Sequence, residues 1–263
     1  MTPPTSRLAP VLDTCRAEDR AALVCYLPAG YPTLDGSHDA YQALLDGGCD
    51  IIEVGVPYSD PVMDGPTIQA AATTALEAGF RVRDTFTVVE KIAEAGGSVV
   101  LMSYWNLVQH YGVDAFARDL AAAGGAGIVT ADLIPDEAGE WLAAADTHGL
   151  DPIFLVAPSS TPERLAMTVD HTRGFVYAAS TMGVTGARGE VSSAAPELVA
   201  RVKAHDPHIP VGVGLGVRTA DHAAEIADYA DAVIVGSALV SKVDKGPAEV
   251  AKLTAELAAG VRR

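Results

Sequence analysis

The chain has 263 residues, 49% hydrophobic and 20% charged, enough to bury roughly three quarters of its unfolded surface as one domain. A net charge of −16 with no run of Lys or Arg argues against nucleic acid and anionic membrane as partners. Three cysteines without C-x-x-C spacing argue against a disulfide framework or zinc site, and no apolar run reaches the ~18 residues of a membrane span. With a polar start, Met-Thr-Pro-Pro-Thr-Ser-Arg, that has no signal-peptide core, the expectation is a soluble cytoplasmic protein.

Eight short apolar runs follow in chain order: 23–27, 51–56, 99–102, 127–130, 153–156, 175–178, 211–213 and 232–235. They are continuous Val/Ile/Leu patches rather than alternating ones, the pattern of parallel strands covered by helices. Helix signals lie between them. Residues 84–96 start at an Asp cap and stop at Gly, 114–123 end at Gly124-Gly125, 136–148 end at Gly149, and 219–229 begin with a Thr cap. Alternating β and α elements predict an α/β fold, and eight strands favour a closed (β/α)8 TIM barrel of one domain, 1–263. An open doubly wound sheet is the alternative. It calls for a Gly-rich turn after the first strand, and the turn here, Leu27-Pro-Ala-Gly-Tyr-Pro32, has no G-x-G-x-x-G.

The second run carries a carboxylate, Glu53, inside an apolar strand, and the loop after it holds Asp60 and Asp64 before a helix begins near Pro66. Taken singly, each is most simply a solvated or strand-end carboxylate. In this order they point to an acid/base site, because an ionised carboxylate buried without a partner is costly and is kept mostly where it moves a proton. Ile52 and Val54 lie on one side of the strand; if that side faces the helices, Glu53 faces the barrel mouth, where apolar surroundings raise its pKa.

Three glycine clusters end the later strands: Ser180-Thr-Met-Gly-Val-Thr-Gly186, Gly212-Val-Gly-Leu-Gly216 and Gly236-Ser237. At the sixth to eighth strands of a barrel they predict a phosphate site, since backbone N–H groups approach a phosphate closely only where no Cβ intervenes. The ligand expected is a small phosphate ester. The stretch 181–193 reads equally as a mobile lid or a plain surface loop, with Arg188 in either role. Tyr104-Trp105-Asn106 puts aromatics at the mouth, to stack on a substrate, meet a partner chain or pack under a loop. The seven histidines share no spacing and read as surface residues, and no metal site is expected.

The motifs Leu27-Pro-Ala-Gly-Tyr-Pro-Thr33, Ile52-Glu-Val-Gly-Val-Pro-Tyr-Ser-Asp-Pro-Val-Met-Asp-Gly-Pro-Thr-Ile-Gln69, Gly183-Val-Thr-Gly-Ala-Arg188 and Val235-Gly-Ser-Ala238 make the whole chain resemble the α subunit of tryptophan synthase. The resemblance implies a (β/α)8 barrel that cleaves indole-3-glycerol phosphate to indole and glyceraldehyde 3-phosphate. It implies an α2β2 complex with the β subunit, and no cofactor in this chain, since pyridoxal phosphate belongs to the β subunit. By the same resemblance Glu53 and Asp64 are the catalytic pair. Tyr26, Met102, Tyr177, Leu215 and Ile234 line the indole and glycerol pocket, and Gly186, Gly216, Gly236 and Ser237 hold the phosphate. Thr185 is a lid residue that pairs with Asp60, while Asp60, Pro61 and Asn106 meet the β subunit. Tyr31 stands where many members have Asp, and Leu215 where many have Phe. A stand-alone lyase working without a β subunit is the functional alternative.

Overall fold

In the computed structural model, which describes residues 5–179, 194–214 and 216–262, nine parallel strands form one sheet. They are β1 (Ala22–Pro28), β2 (Ile51–Gly55), β3 (Ser98–Ser103), β4 (Gly127–Thr130), β5 (Asp151–Ile153), β6 (Leu155–Val156), β7 (Val176–Ala179), β8 (Val211–Gly214) and β9 (Ala232–Val235). Their order is β5-β4-β3-β2-β1-β9-β8-β7-β6. The two end strands are consecutive in the chain and separated only by Phe154, so the sheet closes on itself. The Phe154 carbonyl accepts from the Tyr177 N–H (3.0 Å), carrying the ladder into the junction. This is the expected (β/α)8 barrel with one difference. The run 153–156, read as a single strand, is part of two short segments that serve different neighbours, β4 on one side and β7 on the other.

Twelve helices surround this sheet among the described residues: α1 (Ala9–Ala17), α2 (Leu34–Asp46), α3 (Pro66–Glu77), α4 (Asp84–Glu94), α5 (Trp105–Tyr111), α6 (Val113–Ala122), α7 (Gly139–His148), α8 (Pro162–Asp170), α9 (Ala195–His205), α10 (Ala220–Ala227), α11 (Ser237–Val243) and α12 (Pro247–Gly260). Thr219 caps α10 as expected, its Oγ1 accepting from the His222 N–H (3.2 Å). Two expected starts shift. Asp84 is the first residue of α4 rather than its cap, and its carboxylate accepts the Arg81 N–H of the preceding turn (2.8 Å). Asp136 lies in a single 3-10 turn, and α7 begins only at Gly139, because Pro135 starts a tighter turn that ends at Glu137.

Alternation along the strands sorts the core into two layers. Ile52 and Val54 face outward, in the layer shared with the helices. Ile51 faces inward with Val24, Val100, Val129, Ile153 and Phe175, and α1 joins this inner cluster through Leu12 and Cys15. Glu53, two residues from Ile51, therefore points inward.

Three aspartates tie down the strand starts. The Asp50 carboxylate accepts from the Leu23 N–H (2.8 Å) and takes Arg20 in two bonds of 2.8 and 2.9 Å. Asp151 accepts from Ser6 Oγ (2.7 Å) and the Leu8 N–H (3.3 Å). Asp231 accepts from the Val211 N–H (2.8 Å) and pairs with Lys203 (2.6 Å). The Arg20 and Asp50 side chains are only 8% and 10% exposed, so removing one leaves the other charge poorly solvated. Arg20→Met is expected to cost about 3 kcal/mol of stability in urea unfolding. A loss below about 1 kcal/mol would assign this pair the small value of a surface bridge.

Candidate active site

The inward-facing side chains near the strand ends line an open pocket. β2 supplies Glu53, whose in-register neighbours are Tyr26 on β1 and Val100 on β3. Tyr26, Met102 of β3, Tyr177 of β7 and Ile234 of β9 line the same space. So do Gly216, Gly236 and Ser237 from the loops that follow β8 and β9. The two tyrosine rings lie close over glycines of adjacent strands. A Cβ on Gly55 would sit 2.3 Å from the Tyr26 hydroxyl, and one on Gly214 would sit 2.6 Å from the Tyr177 hydroxyl. Any larger residue there would force the ring to shift.

Glu53 is 1% exposed, and among the described residues neither of its carboxylate oxygens has a hydrogen-bond partner. Burial, together with the nearby Asp64 charge, pushes its pKa up to about 8. Asp64 is buried too, and desolvation raises it to about 6, while the Tyr104 hydroxyl acts in the opposite sense as a hydrogen-bond donor. Near pH 7 the pair is therefore split: Glu53 holds a proton and Asp64 is an anion. Two carboxyl groups whose environments push their titrations apart form an acid and an electrostatic partner in one pocket.

Asp64 is placed by the loop between β2 and α3. The Gln69 side chain donates to the Asp64 carbonyl (2.7 Å), and the Met63 N–H donates to the Tyr104 hydroxyl (3.0 Å). The Tyr104 ring packs on Tyr58 at 5.1 Å, and Asn106 donates to the Tyr58 hydroxyl (3.2 Å). Of the three readings open for the 104–106 segment, packing under a loop accounts for Tyr104. Asp60 and Asn106 are exposed and Pro61 is half-buried, outside the pocket on this same loop face, beside an exposed apolar residue, Val62. Thr185, Gly186, Arg188, Leu215 and the stretch 181–193 lie outside the described residues. Tyr31 donates to Asp244 (2.7 Å), away from the pocket lining.

Sequence reasoning missed Ile68, Val217, Arg218 and Ala238, which also line the pocket. Val217 and Arg218 directly follow the glycine cluster 212–216, and Ala238 follows Gly236-Ser237, so proximity to those motifs was the available signal. Ile68 gave none, because it becomes part of the wall only when α3 folds back over the mouth. Three of the histidines form surface contacts: His148 with Asp114 (2.9 Å), His205 with Asp170 (2.8 Å) and His171 with the Met167 carbonyl (2.8 Å). Among the described residues no group of three or more His, Cys, Asp or Glu is placed to hold a metal ion.

The raised Glu53 pKa has a stability consequence. Below the ordinary carboxyl pKa of 4.5 the group is neutral folded and unfolded alike. Between 4.5 and about 8 the native state keeps a proton that the unfolded chain has released, so stability is lost as pH rises through this window. Glu53→Gln removes that loss. The variant is expected to match the native chain at pH 4 and to exceed it at pH 8.5 by on the order of a few kcal/mol. Thermal unfolding at the two pH values checks this, and equal stability at pH 8.5 would show that Glu53 is not held neutral.

A family model described as tryptophan synthase alpha chain matches residues 12–262. The tryptophan synthase alpha chain of Mycobacterium marinum is 68% identical over 258 residues, spanning 98% of this chain and 96% of that relative. A solved structure of Mycobacterium tuberculosis tryptophan synthase superposes with a TM-score of 0.95 at 67% identity, covering 98% of this chain and 99% of the other. A more distant crystal structure, the alpha subunit from Legionella pneumophila, still gives 0.86 at 29% identity, with 98% of each chain covered. The motif resemblance and the barrel geometry thus meet in one family, and the chain belongs to the tryptophan synthase alpha chain family.

Proposed function

We propose that this chain cleaves indole-3-glycerol phosphate to indole and glyceraldehyde 3-phosphate, the α reaction of tryptophan biosynthesis. It is a carbon–carbon lyase. The observation that carries the reading is Glu53, a protonated carboxyl without a hydrogen-bond partner among the described residues, in the same pocket as the Asp64 anion. Glu53 delivers its proton to indole C3, and the ring nitrogen takes up positive charge that Asp64 stabilises while accepting the N–H. Glu53, now ionised, removes the proton of the adjacent glycerol hydroxyl. The C–C bond breaks as the aldehyde forms, and its electron pair restores the aromatic ring. Proton and electrons balance with Glu53 regenerated, so the ring serves as electron sink and this chain supplies no cofactor.

Tyr26, Met102, Tyr177 and Ile234 form the apolar walls suited to an indole, and Gly216, Gly236 and Ser237 offer the small-residue lining suited to a phosphate. Thr185, Gly186 and Leu215 complete the site in this reading. The chain works with a β subunit that carries the pyridoxal phosphate, in an α2β2 assembly, through Asp60, Pro61 and Asn106. Exposed Val62 on the same loop supports an interface there. No helix among the described residues is long and apolar enough to cross a membrane, and we assign the chain to the cytoplasm as one domain over 1–263.

Indole release is measured with the chain alone and with a tryptophan synthase β subunit. Slow release that rises by orders of magnitude with β is expected; fast release without β would make the chain a stand-alone lyase, and none in either case would overturn the reading. Glu53→Gln is expected to lose about 10³-fold in turnover while staying folded. Because the reaction starts from protonated Glu53 and ionised Asp64, kcat/KM is expected to rise near pH 6 and fall near pH 8. A profile flat from pH 5 to 9 would refute these roles.

A further inference from the structure

We propose that Tyr104 is a positioning residue for Asp64, acting through its hydroxyl, which anchors the backbone beside Asp64 and faces the Asp64 carboxylate. The proposal deepens the reading above, since it rests on Asp64 meeting the indole N–H.

The loop that carries Asp64 is short of backbone donors, because Pro57, Pro61 and Pro66 have no N–H to donate, which gives weight to contacts from outside it. Tyr104 is well placed to supply one. It is 4% exposed at the junction of β3 and α5, and the next residue is fixed in turn, the Trp105 N–H donating to Asp132 Oδ1 (2.7 Å). The Tyr104 hydroxyl accepts the Met63 N–H at 3.0 Å, one residue before Asp64. A phenol has one proton and two lone pairs. With a lone pair engaged by Met63, the hydroxyl proton is left for another acceptor, and in the proposed arrangement it turns to the Asp64 carboxylate, whose ionised form the Tyr104 hydroxyl favours. The groups that share the pocket with Asp64 are Glu53 from β2, Tyr26 from β1, Tyr177 from β7 and Arg218 after β8. Both carboxyl groups are desolvated there, so the Tyr104 donor is a main factor favouring Asp64 as an anion. Tyr104 thereby fixes the position of Asp64 and keeps it ionised while Glu53 is protonated.

Tyr104→Phe keeps the ring on Tyr58 and deletes only the hydroxyl. Carboxyl ¹³C NMR titration of the full chain, with the Asp64 signal identified by its loss in Asp64→Asn, reads the effect without turnover. The Asp64 midpoint is expected to rise by about half a unit or more, and the acid limb of kcat/KM to move up with it, kcat falling more than KM changes. An unmoved midpoint overturns the proposal whatever happens to activity. A moved midpoint with an unmoved acid limb overturns its link to the reaction. Site-specific 3-fluorotyrosine at position 104, nearly isosteric and a stronger donor, should move the midpoint down, and this holds the test open if the Phe variant does not fold. If the native chain releases no indole, the proposed function fails, while the titration still decides the role of Tyr104.

Discussion

A carboxyl group buried on the inner side of a parallel strand, with no partner for either oxygen among the described residues, is the constraint around which the rest of the site is arranged. Keeping Glu53 as an anion in that position is costly, so the group holds its proton to about pH 8 and becomes an acid at neutral pH. That state depends on two further features. Apolar and aromatic walls keep Glu53 dry, and Asp64 adds a negative charge that disfavours a second one. Asp64 is desolvated in the same dry space, and the Tyr104 hydroxyl from the neighbouring strand end acts against the resulting rise.

The barrel divides stability and chemistry between its two ends. At the strand starts, Asp50, Asp151 and Asp231 each accept a backbone N–H and meet a basic or hydroxyl side chain, so their burial is compensated. At the strand ends, Glu53 has no such compensation among the described residues. The same residue class thus anchors one rim and stays unpaired at the other, and partners, rather than burial alone, set the difference. α1 fills the inner layer from below with Leu12 and Cys15. The pocket walls are set in part by small residues: Gly55 and Gly214 leave the room in which the Tyr26 and Tyr177 rings lie.

Much of this was legible in the chain itself. Continuous apolar runs at repeated intervals specify buried parallel strands, because only a strand covered on both faces avoids polar alternation. The period of two put Ile52 and Val54 on one side of β2 and Ile51 and Glu53 on the other, and the packed barrel decided that the second pair faces inward. Glu53 and Asp64 before Pro66, and Gly216 and Gly236 after the later strands, were conspicuous as residue choices and line one pocket, while Asp60 lies exposed outside it. The start of α7 was less readable, as Pro135 permits either a helix or the tight turn that forms.

Short-range periodicity and local cost located most of the strands, the alternation along β2 and the chemically conspicuous carboxylates. Long-range packing alone closes the sheet at Phe154, brings Ile68 and Arg218 into the pocket wall, and lets Tyr104 reach Met63 from 41 residues away in the chain. Those contacts bring together residues on different strands and loops. Their distances and desolvation, and hence the split between Glu53 and Asp64, exist only once the barrel has closed.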